Sequence, residues 1–153
     1  MQTVVVTKTI NAPIDVVFEE FTDHERLTDL PMVLSADVVV PGRTEKNGLG
    51  AVRVVNGGLL RLREEITGFE RPRLMEYRIL ETSPIRSEHE LGRVEFTEVP
   101  GGTKVVWTTV FTAKLLGGRT DKAFALAFRL IFAMTLNQVA KRATAAIRSG
   151  ASR

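Results

Sequence analysis

Cysteine is absent from this chain of 153 residues, and histidine occurs only twice. The lack of cysteine excludes disulfides, thiolate nucleophiles and cysteine-ligated metals. It also fits a reducing compartment, so we expect a cytoplasmic protein. The two histidines, His24 and His89, have neither a His-x-x-x-His spacing nor a carboxylate at ligand spacing. The sequence therefore predicts no metal site.

Several motifs that would identify an enzyme are also missing. There is no Gly-x-Ser-x-Gly, so no motif supports a serine nucleophile. The segment GLGAVR, residues 48–53, lacks the third glycine and the following helix of a dinucleotide-binding loop. We expect a protein without a metal or nucleotide cofactor.

Long apolar runs are scarce as well. The most apolar stretch, FALAFRLIFAMTL at residues 124–136, is interrupted by Arg129. A bilayer span needs about 18 to 20 apolar residues, so we predict no transmembrane segment. The N-terminus has none of the features of a secretory signal. The net charge is +3 with basic and acidic residues interspersed, which predicts a solvated surface and no nucleic-acid partner.

The periodicity of the apolar residues changes twice along the chain. Residues 3–10 are mostly β-branched and predict a strand. NAPIDVVFEEFTD and DHERLTDLPMVL have helical spacing and predict two short helices, the second bent or terminated at Pro31. Segments of period two then predict six strands in an antiparallel meander, at 35–42, 50–55, 59–70, 75–81, 89–99 and 104–115.

The C-terminal part predicts one long helix. After Gly117-Gly118, residues 120 to about 149 contain neither proline nor glycine and are rich in helix formers. There is no linker or internal repeat, so we predict a single domain over 1–149 with a tail at 150–153. The overall expectation is an α+β fold in which one long helix covers a seven-stranded curved sheet.

The apolar faces of these elements predict a cavity. A helix laid across a twisted sheet need not fill the whole space beneath it, and aromatic walls with a few polar groups are typical of small-molecule sites. The helix face consists of Phe124, Phe128, Ile131, Phe132, Thr135 and Val139, and the strand faces of Met75, Tyr77, Ile79, Val94, Phe96, Trp107, Thr109 and Phe111.

Several segments resemble those of the helix-grip fold of the Bet v 1, START and polyketide cyclase/dehydrase (SRPBCC) superfamily. They are INAPIDVVFEEFTDHERL, GLGAVRV, REEITGFERPRLMEYRI and PGGTKVVWTTVF, in the family's order. The resemblance implies binding of a lipid-, polyketide- or aromatic-like molecule, since members bind such ligands and only some are cyclases or dehydratases. One departure is the second short helix, where Leu27 and Leu30 replace the tryptophans of many relatives.

Arg53 and Glu64 are the candidate polar groups of the cavity. If Gly57-Gly58 forms a two-residue turn, Arg53 faces Leu62, and Arg53 and Glu64 share one face of a hairpin. The pair would then anchor a ligand carbonyl or hydroxyl or supply acid/base chemistry. The alternative is a structural or solvated ion pair.

The remaining candidates are Tyr77, Trp107 and the two histidines. Alternation places Tyr77 and Trp107 on the apolar faces of their strands. There they would pack in the core, contact a ligand, or do both. His89 could reach the cavity mouth as a general base, with a surface position as the alternative. His24 lies in a capping context and is expected to be exposed.

Two functions follow, together with one possible partner. The first is a binding protein for a hydrophobic molecule. The second is a cyclase or dehydratase in which Arg53, Glu64, Tyr77 or His89 provides acid/base catalysis. Leu126 and Leu130 lie on the far side of the long helix, where a homodimer contact or a covering loop would bury them.

Overall fold

A computed structural model describes residues 1–113 and 119–151, with side chains to residue 150. Strand β1 (Gln2–Ile10) leads into helix α1 (Ile14–Thr22) and a 3₁₀ helix (His24–Asp29). Six strands follow: β2 (Ser35–Val40), β3 (Val52–Asn56), β4 (Arg61–Glu70), β5 (Leu74–Ser83), β6 (Ser87–Val99) and β7 (Gly102–Ala113). Helix α2 (Asp121–Ala151) ends the described chain.

The seven strands form one antiparallel sheet in the order β1-β7-β6-β5-β4-β3-β2. The meander of β2 to β7 pairs each strand with the next, and β1 joins the open edge of β7. This topology confirms the predicted seven-stranded antiparallel sheet with a C-terminal helix. The predicted strand end at 114–115 and the Gly117-Gly118 boundary lie outside the described residues.

Helix α2 packs along β1 and α1. Its inner residues Phe132, Leu136, Val139 and Ala143 are buried in the core. The Arg142 guanidinium fixes the C-terminal half by donating to Glu20 and Asp29. By length and composition alone, Asp121–Gly150 could cross a membrane, but in this fold it covers the sheet. The helix extends to Ala151, into the segment predicted as a tail.

The turn between β3 and β4 differs from the prediction. Asn56 pairs with Arg61, so residues 57–60 form a four-residue connection instead of a two-residue turn. Gly58 adopts a φ of 82°, and its N–H donates to the Asn56 side chain. The register therefore moves by two residues and keeps its parity, which places Arg53 directly opposite Glu64 rather than Leu62.

Candidate functional site

A cavity of about 380 Å³ lies between the sheet and the N-terminal half of α2. Its walls come from the segment after α1, from strands β3 to β7 and from α2. The residues predicted as ligand contacts that line it are Arg53, Glu64, Tyr77, Trp107, Thr109, Phe111, Phe124, Phe128, Ile131, Phe132 and Thr135. His89 lines it as well. Their role in binding a ligand remains a prediction.

Phe96 is the exception among the predicted contacts, since it is not part of the cavity wall. Its ring packs edge-on against Phe18 and Phe21 from helix α1, with centroids 5.1 and 5.6 Å away. Alternation along β6 correctly pointed Phe96 toward the inside of the sheet. At that end of the strand, helix α1 packs against the inner face of the sheet and leaves no space for the cavity.

Two wall residues are exposed and mark the mouth of the cavity. Leu59, in the connection between β3 and β4, is 90% exposed, and Ala127 on α2 is also exposed. Leu27, Leu30, Met32 and Val33, after α1, complete an aliphatic wall. The cavity therefore meets the protein surface at the β3–β4 connection and at this part of α2.

Arg53 and Glu64 form a buried ion pair in the cavity wall. The Arg53 Nη2 atom donates to Glu64 Oε2 at 3.1 Å, and the two side chains are only 7% and 6% exposed. The guanidinium also lies 5.5 Å above the Tyr77 ring, within the range of a cation–π contact. Because the pair is buried, removing either charge would leave the other in the interior without a counter-charge.

His24 is the third member of this cluster, and its predicted exposure is wrong. Its side chain is buried, with Nδ1 accepting from Arg53 Nη1 at 2.9 Å and Nε2 donating to the Asn47 carbonyl at 2.9 Å. These partners require the neutral form with the proton on Nε2. Burial, together with the Arg53 charge, lowers the pKa of His24 to about 3.

One donor of Arg53 has no partner among the described residues. Its Nη1 and Nη2 atoms bind His24 and Glu64, whereas Nε is buried without a hydrogen bond. A buried donor without an acceptor is costly, by about 1–3 kcal/mol. The Arg53 side chain lines the cavity, but its Nε atom is buried from the cavity as well as from solvent.

His89 holds the sheet together where β5 and β6 separate. In residues 1–113, the two strands share four backbone pairs, from Leu74 to Tyr77 on β5. Beyond them, the Ile79 N–H donates to His89 Nδ1 at 3.1 Å, and His89 Nε2 donates to Thr109 Oγ1 at 2.9 Å. Burial lowers the pKa of His89, in line with the neutral ring that this arrangement requires. His89 thus reaches the cavity, but both of its nitrogens are engaged.

Tyr77 and Trp107 are linked to each other at the floor of the cavity. Trp107 Nε1 donates to the Tyr77 hydroxyl at 2.9 Å, and the indole stacks on Phe132 with centroids 3.8 Å apart. Burial, with a contribution from the Glu64 carboxylate, raises the pKa of Tyr77 far above its usual range. The phenol is therefore neutral at physiological pH and serves as an acceptor for the indole.

We predict that Gly92→Ala destabilises this floor. A Cβ atom at Gly92 would lie 2.5 Å from the Tyr77 ring, which His89 stacks against and Trp107 holds by a hydrogen bond. Overpacking of this kind costs about 1–3 kcal/mol, measurable by urea unfolding. Gly150→Ala, where the added Cβ meets open space, is the matched control. Equal stability of the two variants would contradict the prediction.

Some residues of the cavity wall were not predicted from the sequence. They are Val55, Thr82, Ile85 and Ser87, on β3 and around the β5–β6 connection. Alternation places Val55 on the face of Arg53 and Glu64, so this signal could have found it, as it found Leu60 and Leu62, which also line the cavity. In residues 1–113 and 119–150, no group of three histidines or acidic residues is arranged to hold a metal ion.

A family model described as polyketide cyclase / dehydrase and lipid transport matches residues 1–144. No curated protein sequence matches the chain. Among solved structures, the protein TTHA0849 from Thermus thermophilus has 22% identity and a TM-score of 0.78, covering 95% of this chain and 99% of its own. At these identities the likeness to solved structures concerns the fold alone.

Two further structures have the same fold. A START superfamily protein from Mycobacterium smegmatis has 11% identity and a TM-score of 0.75, covering 92% of this chain and 97% of its own. The Zhui aromatase/cyclase from Streptomyces sp. R1128 has 22% identity and a TM-score of 0.74, covering 97% of both chains. The helix-grip architecture is therefore shared with proteins of different names and activities.

Proposed function

The chain belongs to the polyketide cyclase/dehydrase and lipid transport family, and from that premise we propose that it binds a hydrophobic molecule with one neutral polar end. The observation that supports this proposal is the apolar cavity of about 380 Å³ whose wall contains the Arg53–Glu64 ion pair. Cavities of this size, with few polar groups among apolar walls, are typical of small-molecule sites.

The charges in the wall favour a neutral polar group over an anion. Arg53 is already neutralised by Glu64, and His24 and Tyr77 are uncharged, so the cluster has no excess positive charge. A carboxylate placed beside Arg53 would also lie near the Glu64 carboxylate. A carbonyl or hydroxyl oxygen can accept from Arg53 without that repulsion.

Trp107 provides a direct test, because it is the only tryptophan and it lines the cavity. The probes are 1-octanol, octane and octanoate, which share a chain and differ in the end group. We expect quenching or a shift of Trp107 emission with 1-octanol, weaker binding of octane, which has no polar end, and at least about tenfold weaker binding of octanoate. Tighter binding of octanoate, or no response to any of the three, would contradict the proposal.

A cavity-mouth variant should weaken that binding. Ala127→Phe adds a phenyl group at the opening, and we expect at least a roughly tenfold loss of 1-octanol affinity. Ala123→Phe is the matched control, because Ala123 is exposed one turn earlier and does not line the cavity. Equal affinity of the two variants would contradict the prediction that a side chain at position 127 takes up space needed by the ligand.

Acid/base catalysis on a polyketide-like substrate is the second candidate function. Among the acid/base residues predicted from the sequence, the contacts favour Glu64. Both ring nitrogens of His24 and His89 are engaged, and the raised pKa of Tyr77 makes its phenol a very weak acid. Within the described residues, the Arg53 bond uses Glu64 Oε2, which leaves Oε1 for a substrate. Loss of turnover of an aromatic polyketide mimic in Glu64→Gln, with retained 1-octanol binding, would favour catalysis over binding alone.

A further inference from the structure

The outer face of α2 presents large apolar side chains in its first half and polar side chains in its second half. In the first half, Leu126, Leu130 and Met134 are 60%, 58% and 36% exposed. They follow one another at intervals of four residues and form one stripe about 12 Å long. In the second half, the exposed positions include Asn137, Lys141 and Arg148. We name the first-half stripe the apolar ridge.

The apolar ridge adjoins the cavity mouth. Ala127, next to Leu126 in the chain, is exposed and also lines the cavity, and the highly exposed Leu59 lies on the other rim. Only 22% of the most apolar window of α2 is buried in the protein. Such a patch of contiguous exposed leucines indicates a surface that another apolar phase covers.

The charge around the ridge indicates the kind of partner. From Lys122 onward the sequence contains no acidic residue, whereas Lys122, Arg129, Lys141 and Arg148 are basic. Arg142 is also basic, but it is paired with Glu20 and Asp29. Asp121 is buried, where its carboxylate accepts from the Ala113 N–H. A helix with an apolar stripe and basic flanks matches the pattern of helices that lie in the surface of anionic membranes.

A second copy of the chain fits this surface less well. A symmetric contact through the ridge would place the same basic helix on both sides of the interface. Like charges facing each other without acidic partners oppose such association. The homodimer predicted from Leu126 and Leu130 therefore becomes the competing outcome.

We propose that the apolar ridge and Leu59 dock the protein on an anionic lipid surface, with the cavity mouth facing the bilayer. Helix α2 would lie in the plane of the headgroups and insert Leu126 and Leu130 among the acyl chains, while Arg119 and Lys122, both exposed, contact phosphates. The ridge acts in membrane binding whatever molecule the cavity holds.

Vesicle flotation with the full chain tests this proposal. We expect binding to vesicles of phosphatidylglycerol and phosphatidylcholine in equal parts, and little binding to phosphatidylcholine alone. Leu126→Ser/Leu130→Ser should lower the partition coefficient at least about tenfold, since both side chains would leave the acyl region. Arg119→Gln/Lys122→Gln should reduce binding and its dependence on salt.

The matched control is Val39→Ser/Leu80→Ser, which removes apolar side chains of 48% and 47% exposure that do not line the cavity. This variant should float like the wild type. Equal loss in both double variants, or no binding of the wild type to anionic vesicles, would overturn the proposal. So would a dimer in light scattering that Leu126→Ser/Leu130→Ser abolishes without any vesicle binding. Retained 1-octanol binding by Leu126→Ser/Leu130→Ser would separate membrane docking from occupancy of the cavity.

Discussion

Replacing Arg53 with methionine is expected to lower the free energy of unfolding by about 3–5 kcal/mol, the largest effect of any substitution considered for this protein. The change leaves the Glu64 carboxylate buried without its cation and removes the donor to His24 Nδ1. Methionine has a similar length and an apolar side chain, so the loss comes mainly from the missing charge. Urea unfolding of the wild type and the variant measures it.

The double variant Arg53→Met/Glu64→Leu is the control for this prediction. When both charges are removed, neither is left unpaired, and we expect most of the lost stability to return. The same variant should no longer prefer 1-octanol over octane, because the donor of Arg53 is gone. A double variant as unstable as Arg53→Met alone would show that the pair does not behave as a buried ion pair.

Acidification is expected to destabilise the protein through His24. Its pKa is about 3 in the folded protein, against an ordinary value near 6.5 in the unfolded chain. Above pH 6.5 both states are neutral at this position, and its contribution to stability is complete. As the pH falls toward 3, the unfolded chain takes up a proton that the folded protein excludes. The loss reaches about 1.4 kcal/mol per pH unit within this window.

Unfolding measured at pH 7 and pH 4.5 in the wild type and in His24→Asn tests this dependence. The variant should be less stable at pH 7, because it lacks the native link between Arg53 and Asn47. Its free energy of unfolding should, however, fall by roughly 2–3 kcal/mol less than that of the wild type between the two pH values. His89, whose pKa is also lowered, and the carboxylates act in both proteins and cancel in the comparison. If the free energies of unfolding of the wild type and the variant fell equally between the two pH values, His24 would be ruled out as the source of the acid destabilisation.

Repeated local signals are the reason that the fold was predictable. The change from helical to alternating spacing after Pro31 and back after residue 118 determined the order of the elements. The resemblance to the helix-grip superfamily added the arrangement of sheet and helix, which the sheet topology and the related structures confirm. Even the wrong turn at residues 57–60 kept the correct face for Arg53, because the register moved by two residues.

The errors concern contacts that no local pattern encodes. The capping context of His24 predicts a surface position, but its partner Arg53 lies 29 residues further along the chain. Phe96 was assigned to the cavity by parity, which distinguishes the two faces of a strand but not the packed end from the open end. The volume of the cavity depends on how far α2 stands from the sheet, and periodicity contains no information on that distance.

The separation of β5 from β6 determines how firmly this part of the cavity wall is held together. Between residues 78–83 and 87–91, the two strands are joined by side-chain hydrogen bonds of His89 and of Thr82 with Ser87, without backbone ladder pairs. Separation of the two strands from each other at this point would break only these few contacts and would leave the ladders of β5 with β4 and of β6 with β7 in place. Among the described residues, β5 and β6 are thus joined by fewer backbone pairs than any other two neighbouring strands, and this is the most weakly paired part of the cavity wall.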